Sequence, residues 1–166
     1  MRDAVQEIHV RAEIVHHRAA AGDPATLRRF RKLADFDPTC VRRRDCLAVL
    51  AAEMGFLNWP EARRVLRGEP ASNFGTLLCP KRCCGHLNLW YKTREEAAGM
   101  REQRGGFLLA FRHQFLVVDR YYIESLRLDP EDPDWEAIGF DWTRPGCEAP
   151  RARLYSKLLA TLPLEK

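Results

Sequence analysis

The strongest constraint on the fold of this chain is a pair of short, continuously apolar runs in its second half. Gly105 and Gly106 open the first run, Phe107–Phe111, and the polar triplet 112–114 separates it from the second run, 115–118. Two such runs around a short polar segment predict a β-hairpin. Because every position of both runs is apolar, we expect helices to cover both faces of the hairpin. The sequence therefore predicts a buried hairpin at residues 107–118 as the centre of the fold.

The rest of the sequence indicates a folded, non-membrane chain. With 166 residues, 46% of them hydrophobic, the chain is long enough to bury a core. Charged residues interrupt the first twenty positions, which argues against a signal peptide, and no window approaches the roughly 20 apolar residues of a membrane span. Six cysteines without an export signal predict thiols or metal ligands. We therefore expect a cytoplasmic protein with no membrane contact and reduced cysteines.

The order of apolar patterns predicts an α+β protein in two parts. Residues 1–68 form a helical front, in which helices are expected at 1–21, from Asp23 to about Ala34, at 41–54 and at 58–67. Residues 69–166 form an α+β domain, with strands expected at 74–78 and 87–91, a helix at 93–104, and then the hairpin. Further helices follow from Asp119, from Asp132 and at 149–162. The predicted fold is an N-terminal helical bundle packed on a small, mostly antiparallel sheet (strand-strand-helix-strand-strand) with C-terminal helices.

Residues 45–66, DCLAVLAAEMGFLNWPEARRVL, form a recognisable pattern. An Ala-rich helix ends in Gly55-Phe56, and Trp59 opens the next helix. The pattern resembles a small helix-pair module found in some bacterial proteins, including the front of certain glyoxalase-like proteins. The resemblance implies a turn at Gly55, with Phe56 and Trp59 filling the angle between the two helices. It implies a fold for these 22 residues and carries no catalytic residue.

The segment 79–86, CPKRCCGH, is the sharpest candidate for chemistry. Thiolate and imidazole are preferred zinc ligands, so Cys79, Cys83, Cys84 and His86 are the candidate metal ligands. A fourth ligand from elsewhere (Cys147, His113, Cys40 or Cys46) has no diagnostic spacing. The alternatives are free thiols, or a reactive cysteine whose pKa Lys81 and Arg82 lower. In a small enzyme of this kind Cys83 or Cys84 would be the nucleophile, with His113 or His86 as base.

A second candidate site is an arginine-rich set in the helical front. Residues 1–68 hold 13 Lys and Arg against 9 Asp and Glu, whereas residues 69–166 hold 14 of each. Clustered cations on helices suit phosphate groups, and the guanidinium fork suits them best. The candidate nucleic-acid or anion contacts are Arg28, Arg29, Arg31, Lys32, Arg42, Arg43, Arg44, Arg63 and Arg64. The alternative is a solvated helix surface without a ligand.

The remaining patterns favour binding over catalysis. Asp129, Glu131, Asp132 and Asp134 are interrupted by prolines and are interpreted as helix caps and first-turn charges. The sequence contains no P-loop, no GxSxG and no HExxH motif. Aromatic residues are dense after residue 89, and two or three of them exposed together would mark a partner-binding patch.

We therefore expect a non-catalytic intracellular binding or regulatory protein, whose partner is a protein or a nucleic acid. The alternative is a small enzyme or zinc protein using the cysteine turn, and no other cofactor is expected.

Overall fold

A computed structural model describes residues 2–33 and 36–163 of the chain, apart from the side chain of Lys32. It contains helices α1 to α8 and strands β1 to β3. The helices are α1 (Ala4–Ala20), α2 (Pro24–Arg29), α3 (Arg43–Glu53), α4 (Trp59–Leu66), α5 (Arg94–Arg104), α6 (Arg120–Ser125), α7 (Pro133–Ala137) and α8 (Glu148–Thr161). The strands are β1 (Leu89–Tyr91), β2 (Phe107–Phe111) and β3 (Gln114–Val118), and short 3-10 turns lie at Phe30–Lys32 and Lys81–Cys83.

The helix starts predicted at Asp23, Thr93 and Asp119 are confirmed, and each of these helices begins at a side-chain cap. Side chains of Asp3, Asp23, Asn58, Thr93 and Asp119 each accept a backbone N–H in the first turn of the helix that follows. Such bonds satisfy donors that a helix N-terminus otherwise leaves free. The helix predicted from Asp23 to Ala34 becomes a short α2 followed by a 3-10 turn, and Ala34 lies outside the described residues.

The first and last helices pack against each other. The backbone N–H of Ala4 donates to the Ser156 hydroxyl on α8 at 3.0 Å. The buried guanidinium of Arg11 on α1 donates to the carbonyls of Leu159, Leu162 and Pro163, at the C-terminal end of α8. These bonds tie the C-terminal end of α8 to α1. One core cluster of buried residues accordingly draws on both the helical front and the hairpin.

The sheet is antiparallel throughout, in the order β1-β3-β2. On one face of the hairpin, Leu109 and Leu116 are fully buried in the main core. On the opposite face, Leu108 and Val117 pack against Ala97 of α5. The predictions of an α+β fold and of a hairpin covered on both faces are confirmed.

The strand predicted at residues 74–78 is wrong. The backbone N–H of Phe74 donates to the carbonyl of Arg112, and the N–H of Arg112 donates to the carbonyl of Gly75, so the segment bonds the hairpin turn and not the length of a strand. At Gly75 φ is +67°, a left-handed conformation that ends any extended pairing. A Cβ there would lie 2.5 Å from the carbonyl oxygen of Met54. The observed order is therefore strand-helix-strand-strand.

No helix within the described residues is both long enough and apolar enough to cross a membrane.

Candidate functional site

The cysteine turn is docked on helix α6. Arg82 donates to the carbonyls of Ser125 and Leu126, where α6 ends, at 2.8 and 3.0 Å. The His86 Nε2 atom lies 2.9 Å from the Ser125 hydroxyl, and the His86 ring meets the Tyr122 ring edge-on. His86 and Arg82 therefore hold the turn in place, and His86 is directed at a hydroxyl.

A buried hydroxyl lies beside the cysteine turn. Tyr122 is fully buried and donates to the carbonyl of Leu78, next to Cys79, at 2.9 Å. Burial raises the pKa of Tyr122 far above its usual range. Burial also raises the pKa of the Cys83 thiol, outweighing the opposing charge of Arg82. The lowering of a thiol pKa expected from Lys81 and Arg82 is therefore not found at Cys83.

The structure does not bring the predicted metal ligands together as a set. Cys83 is buried, Cys84 is exposed, and all six cysteines are free thiols. Across residues 2–33 and 36–163, no three His, Cys, Asp or Glu side chains converge as a metal ion requires. Of the suggested additional ligands, His113 bonds the carbonyl of Ser72 and Cys46 lies in the core between helices. Zinc binding at the cysteine turn therefore stays a prediction.

The arginine-rich set divides into two groups at opposite ends of α3. Near its C-terminal end, Arg29 forms two hydrogen bonds with Glu53, at 2.7 and 2.6 Å, and Arg28 and Arg31 line an open groove of about 510 Å³. Arg42, Arg43 and Arg44 stand at its N-terminal end. The side chain of Lys32 lies outside the described residues. One continuous cationic surface over all predicted residues is therefore not formed.

The group at the N-terminal end of α3 meets helices α1 and α4. Arg43 pairs with Glu13 of α1 at 3.0 Å. The His9 ring of α1 lies 5.3 Å from the Trp59 ring of α4, edge to face. Burial lowers the pKa of His9, and the charges of Arg43 and Arg63 lower it further. Arg64 points elsewhere, to Glu69. Sequence reasoning missed His9 and Trp59, because only the packing of α1 on α4 joins them.

The acidic segment is used structurally, in line with its interpretation as caps and first-turn charges. The Asp132 side chain accepts the backbone N–H of Asp134 at the start of α7. Lys157 of α8 donates to both carboxylates, at 2.6 to 2.8 Å, and Arg153 donates to Asp134. Burial of Asp134 raises the pKa of its carboxyl, but the hydrogen bonds from Arg153 and Lys157 outweigh burial and hold it below its ordinary value. These four residues fasten α7 to α8.

The two edges of the sheet differ in hydrogen bonding. On β2, the Leu108 N–H donates to the carbonyl of Phe140, and the Trp142 N–H donates to the carbonyl of Leu108. The outer edge of β2 is therefore covered. Because bonding directions alternate along antiparallel strands, Leu116 of β3 faces β2, and Phe115 and Val117 face β1.

At the β1 edge the same alternation leaves one residue facing outward. Phe115 and Val117 pair with Tyr91 and Leu89, so the N–H and C=O of Trp90 point away from the sheet. The Trp90 side chain is 45% exposed, and Leu89 is 40% exposed. Leu87, just before the strand, is fully exposed. An unpaired strand edge thus lies beside exposed apolar side chains.

The aromatic residues of the second half of the chain differ in exposure. Trp90 and Tyr121 are exposed, at 45% and 65%, whereas Tyr122, Trp135 and Trp142 are fully buried. Leu87 and Leu89 were missed, because the alternating pattern of residues 87–91 is the same for a half-buried inner strand and for an edge strand. We refer to Leu87, Leu89 and Trp90, with the outward backbone of β1, as the open edge.

An open groove of about 720 Å³ lies beside α4. Its Glu61 carboxylate accepts the backbone N–H of Leu57 and the side-chain amide of Asn73. Asn73 is buried and also bonds the carbonyl of Gly55. These polar groups are thus committed to holding the turn between α3 and α4.

Comparison of the chain with protein-family models, with curated proteins and with solved structures finds no match. The resemblance of residues 45–66 to a helix-pair module therefore stays a prediction. The function is inferred from the open edge and from the arginines near α1, α3 and α4.

Proposed function

We propose that the protein is a non-catalytic binding protein that takes an extended segment of a protein partner at the open edge. The observation that carries this proposal is the outward N–H and C=O of Trp90, flanked by exposed apolar side chains at positions 87, 89 and 90. A strand edge of this kind is a template for a further strand, which pairs with it through main-chain hydrogen bonds.

The chemistry of the edge supports a specific partner. Proteins commonly blunt exposed edges with prolines, bulges or charged side chains. Here β1 itself is Leu89-Trp90-Tyr91, and the first charge after it is Lys92. Large apolar side chains exposed together on a folded domain mark interaction sites. An added strand would bury Leu89 and Trp90, and a Trp that becomes buried is a frequent source of binding energy.

The two sides of β1 would give such a partner its sequence preference. Tyr91 packs with the cluster under α5, and Leu89 stands on the same face. The Trp90 ring lies on the other face, 5.9 Å from the Phe111 ring and perpendicular to it. Successive side chains of an added strand would alternate between these two surfaces. We therefore expect the bound segment to carry apolar side chains at alternate positions.

A proline at position 90 tests the proposal. Trp90→Pro removes the outward N–H, and a proline is tolerated on the solvent side of an edge strand. The matched control, Trp90→Val, keeps the N–H and removes the ring. Displayed random peptides are selected on the wild-type protein with counter-selection on Trp90→Pro, and binding is then measured by fluorescence polarisation on all three proteins.

The expected result is a set of peptides with alternating apolar residues whose affinity falls by at least about tenfold with Trp90→Pro and by less with Trp90→Val. Peptides that bind all three proteins equally would overturn the proposal. Sedimentation velocity on the same proteins tests whether a second copy of the chain binds at the open edge instead. A wild-type dimer that Trp90→Pro dissociates would assign the edge to a second copy of the chain and not to a separate partner.

A further inference from the structure

We propose that the surface shared by α1, α3 and α4 binds a single-stranded nucleic acid. We call this surface the cationic face and define it by Arg43 at the start of α3, by Arg63 and Arg67 along α4, and by the contacting rings of His9 and Trp59. It lies on different elements from the open edge and does not depend on a protein partner there. The occupant is inferred from charge complementarity and from the aromatic rings at its centre.

The first argument is the alignment of α4 with α1. The Trp59 ring meets His9, and Arg67, which follows α4, lines the same cavity of about 370 Å³ as Gln6. The two helices therefore run side by side in opposite directions. Trp59, Arg63 and Arg67 are spaced four residues apart, so they follow one side of α4 at intervals of about 6 Å. They form a row beside the exposed side of α1.

The second argument is that the guanidinium groups of the cationic face are exposed and that only one of them forms an ion pair within the described residues. Arg63 and Arg67 are exposed, and neither pairs with a carboxylate within residues 2–33 and 36–163. Arg43 pairs with Glu13, but both side chains of this pair are 55% exposed. An ion pair so accessible to water contributes little to stability, so a phosphate can replace Glu13 at small cost. Three guanidinium forks are therefore free to bind phosphate groups, which they can do with two hydrogen bonds each.

The third argument favours a single strand over a duplex. Single-stranded nucleic acids are bound by combining a cationic track for the backbone with aromatic rings on which bases stack. Trp59 is only partly buried, its ring contacts that of His9, and Arg63 follows it one turn later on the same side of α4. The start of α4 is Trp59-Pro60, a bulky entry for the major groove of a duplex. A flexible strand can instead place its bases on these rings.

Two matched double substitutions test the inference. Arg63→Glu with Arg67→Glu reverses the charge of the cationic face. Arg28→Glu with Arg31→Glu makes the same change in net charge on exposed arginines at the other end of α3. Fluorescence anisotropy measures binding of labelled oligo(U), oligo(dT) and a duplex of the same length, over a range of salt concentrations. A third variant, Trp59→Leu, checked for folding by circular dichroism, tests stacking.

We expect the reversal at positions 63 and 67 to weaken single-strand binding by at least about tenfold and to flatten its salt dependence, since each lost phosphate contact reduces the slope by about 0.7. The reversal at positions 28 and 31 should change binding by no more than about twofold. Trp59→Leu should weaken oligo(U) and oligo(dT) but leave binding of inorganic polyphosphate unchanged. Equal losses in the two double variants, duplex binding as tight as single-strand binding, or no binding by the wild type would each overturn the inference. The ratio of oligo(U) to oligo(dT) affinity identifies the natural strand as RNA or DNA.

Discussion

The two edges of the small sheet show how the same backbone chemistry is handled in opposite ways. At β2, Leu108 is buried and both of its outward backbone groups are bonded, to Phe140 and Trp142. At β1, Trp90 has the same outward geometry, yet its side chain is 45% exposed. The difference is that residues 140–142 bond the outer edge of β2, whereas the outward groups of Trp90 have no such segment beside them among the described residues. The open edge is the surface at which we propose that a partner strand binds.

The segment that bonds the outer edge of β2, residues 140–142, is called the covering segment, and several side-chain contacts hold it in place. The side chains of Trp135 and Trp142 are fully buried, with ring centroids 5.4 Å apart, and Trp142 packs edge-on against Tyr155 of α8. Arg94 of α5 donates to the carboxylate of Asp141 at 2.5 Å and to the Thr143 hydroxyl. The covering segment is thus tied to helices on both sides of the sheet, whereas no comparable element lies over β1 among the described residues.

The largest expected effect is at the covered edge. Trp142→Ala should lower the free energy of unfolding by about 3–5 kcal/mol, because it removes a fully buried ring and leaves a cavity. Trp90→Ala, at the open edge, should lower it by less than about 1 kcal/mol, since that ring is already 45% exposed. Urea unfolding followed by circular dichroism measures both. Similar losses in the two variants would remove the distinction between the edges.

An intermediate effect is expected at Asp134 of α7, the helix that precedes the covering segment. Asp134→Asn should lower the free energy of unfolding at pH 7 by about 1–2 kcal/mol, because the partly exposed Lys157 and Arg153 lose their charged partner. The pKa of Asp134 is lowered in the folded state, so its contribution is present above the unfolded pKa of about 3.9 and is lost as the pH falls through the folded value.

Unfolding of the wild type and Asp134→Asn at several pH values tests this sign. Their difference in stability should be constant near neutrality and shrink below about pH 4. A difference that grows as the solution is acidified would contradict the assigned direction of the pKa shift. Glu136→Gln, an exposed carboxylate on the same helix, is the matched control and should leave the pH profile unchanged.

The smallest expected change in stability, that of Trp90→Pro, is the most direct test of which residue of β1 faces outward. Trp90→Pro should change the free energy of unfolding by less than about 1 kcal/mol, because the N–H it removes points to solvent. The adjacent change Leu89→Pro removes an N–H that pairs with Val117 and should destabilise the protein clearly more. Thermal unfolding of the two variants compares them directly. The reverse order would show that Leu89, not Trp90, faces outward, and would remove the basis of the proposed edge.

Much of the fold could be predicted from local chemistry. Continuous apolar runs placed the hairpin at residues 107–118, and the caps at Asp23, Thr93 and Asp119 placed three of the helix starts. The strand at 74–78 was wrong because an apolar run also suits a turn whose side chains are buried, as those of Phe74 and Leu78 are. Nothing local distinguishes the two, since the decision lies in the bonds between this segment and Arg112.

The candidate surfaces were predicted less well. Arginines close in sequence were grouped together, but α3 separates Arg29 from Arg43 by the length of a rigid helix. The cysteine turn was identified, yet burial of Cys83 and the bonding of His86 to Ser125 follow only from the position of α6. Trp59 and His9, fifty residues apart, meet only because α4 packs along α1.

The sequence by itself determined where the helices begin, where the buried hairpin lies and that the helical front carries the excess positive charge. These features depend on capping side chains, apolar runs and composition, all of which act over a few residues. Only the tertiary structure decided which strand lies at an edge, which edge is covered, and which arginines share a surface. Those outcomes depend on strand order and helix packing, which bring together residues distant in the chain and cannot be expressed in any local pattern.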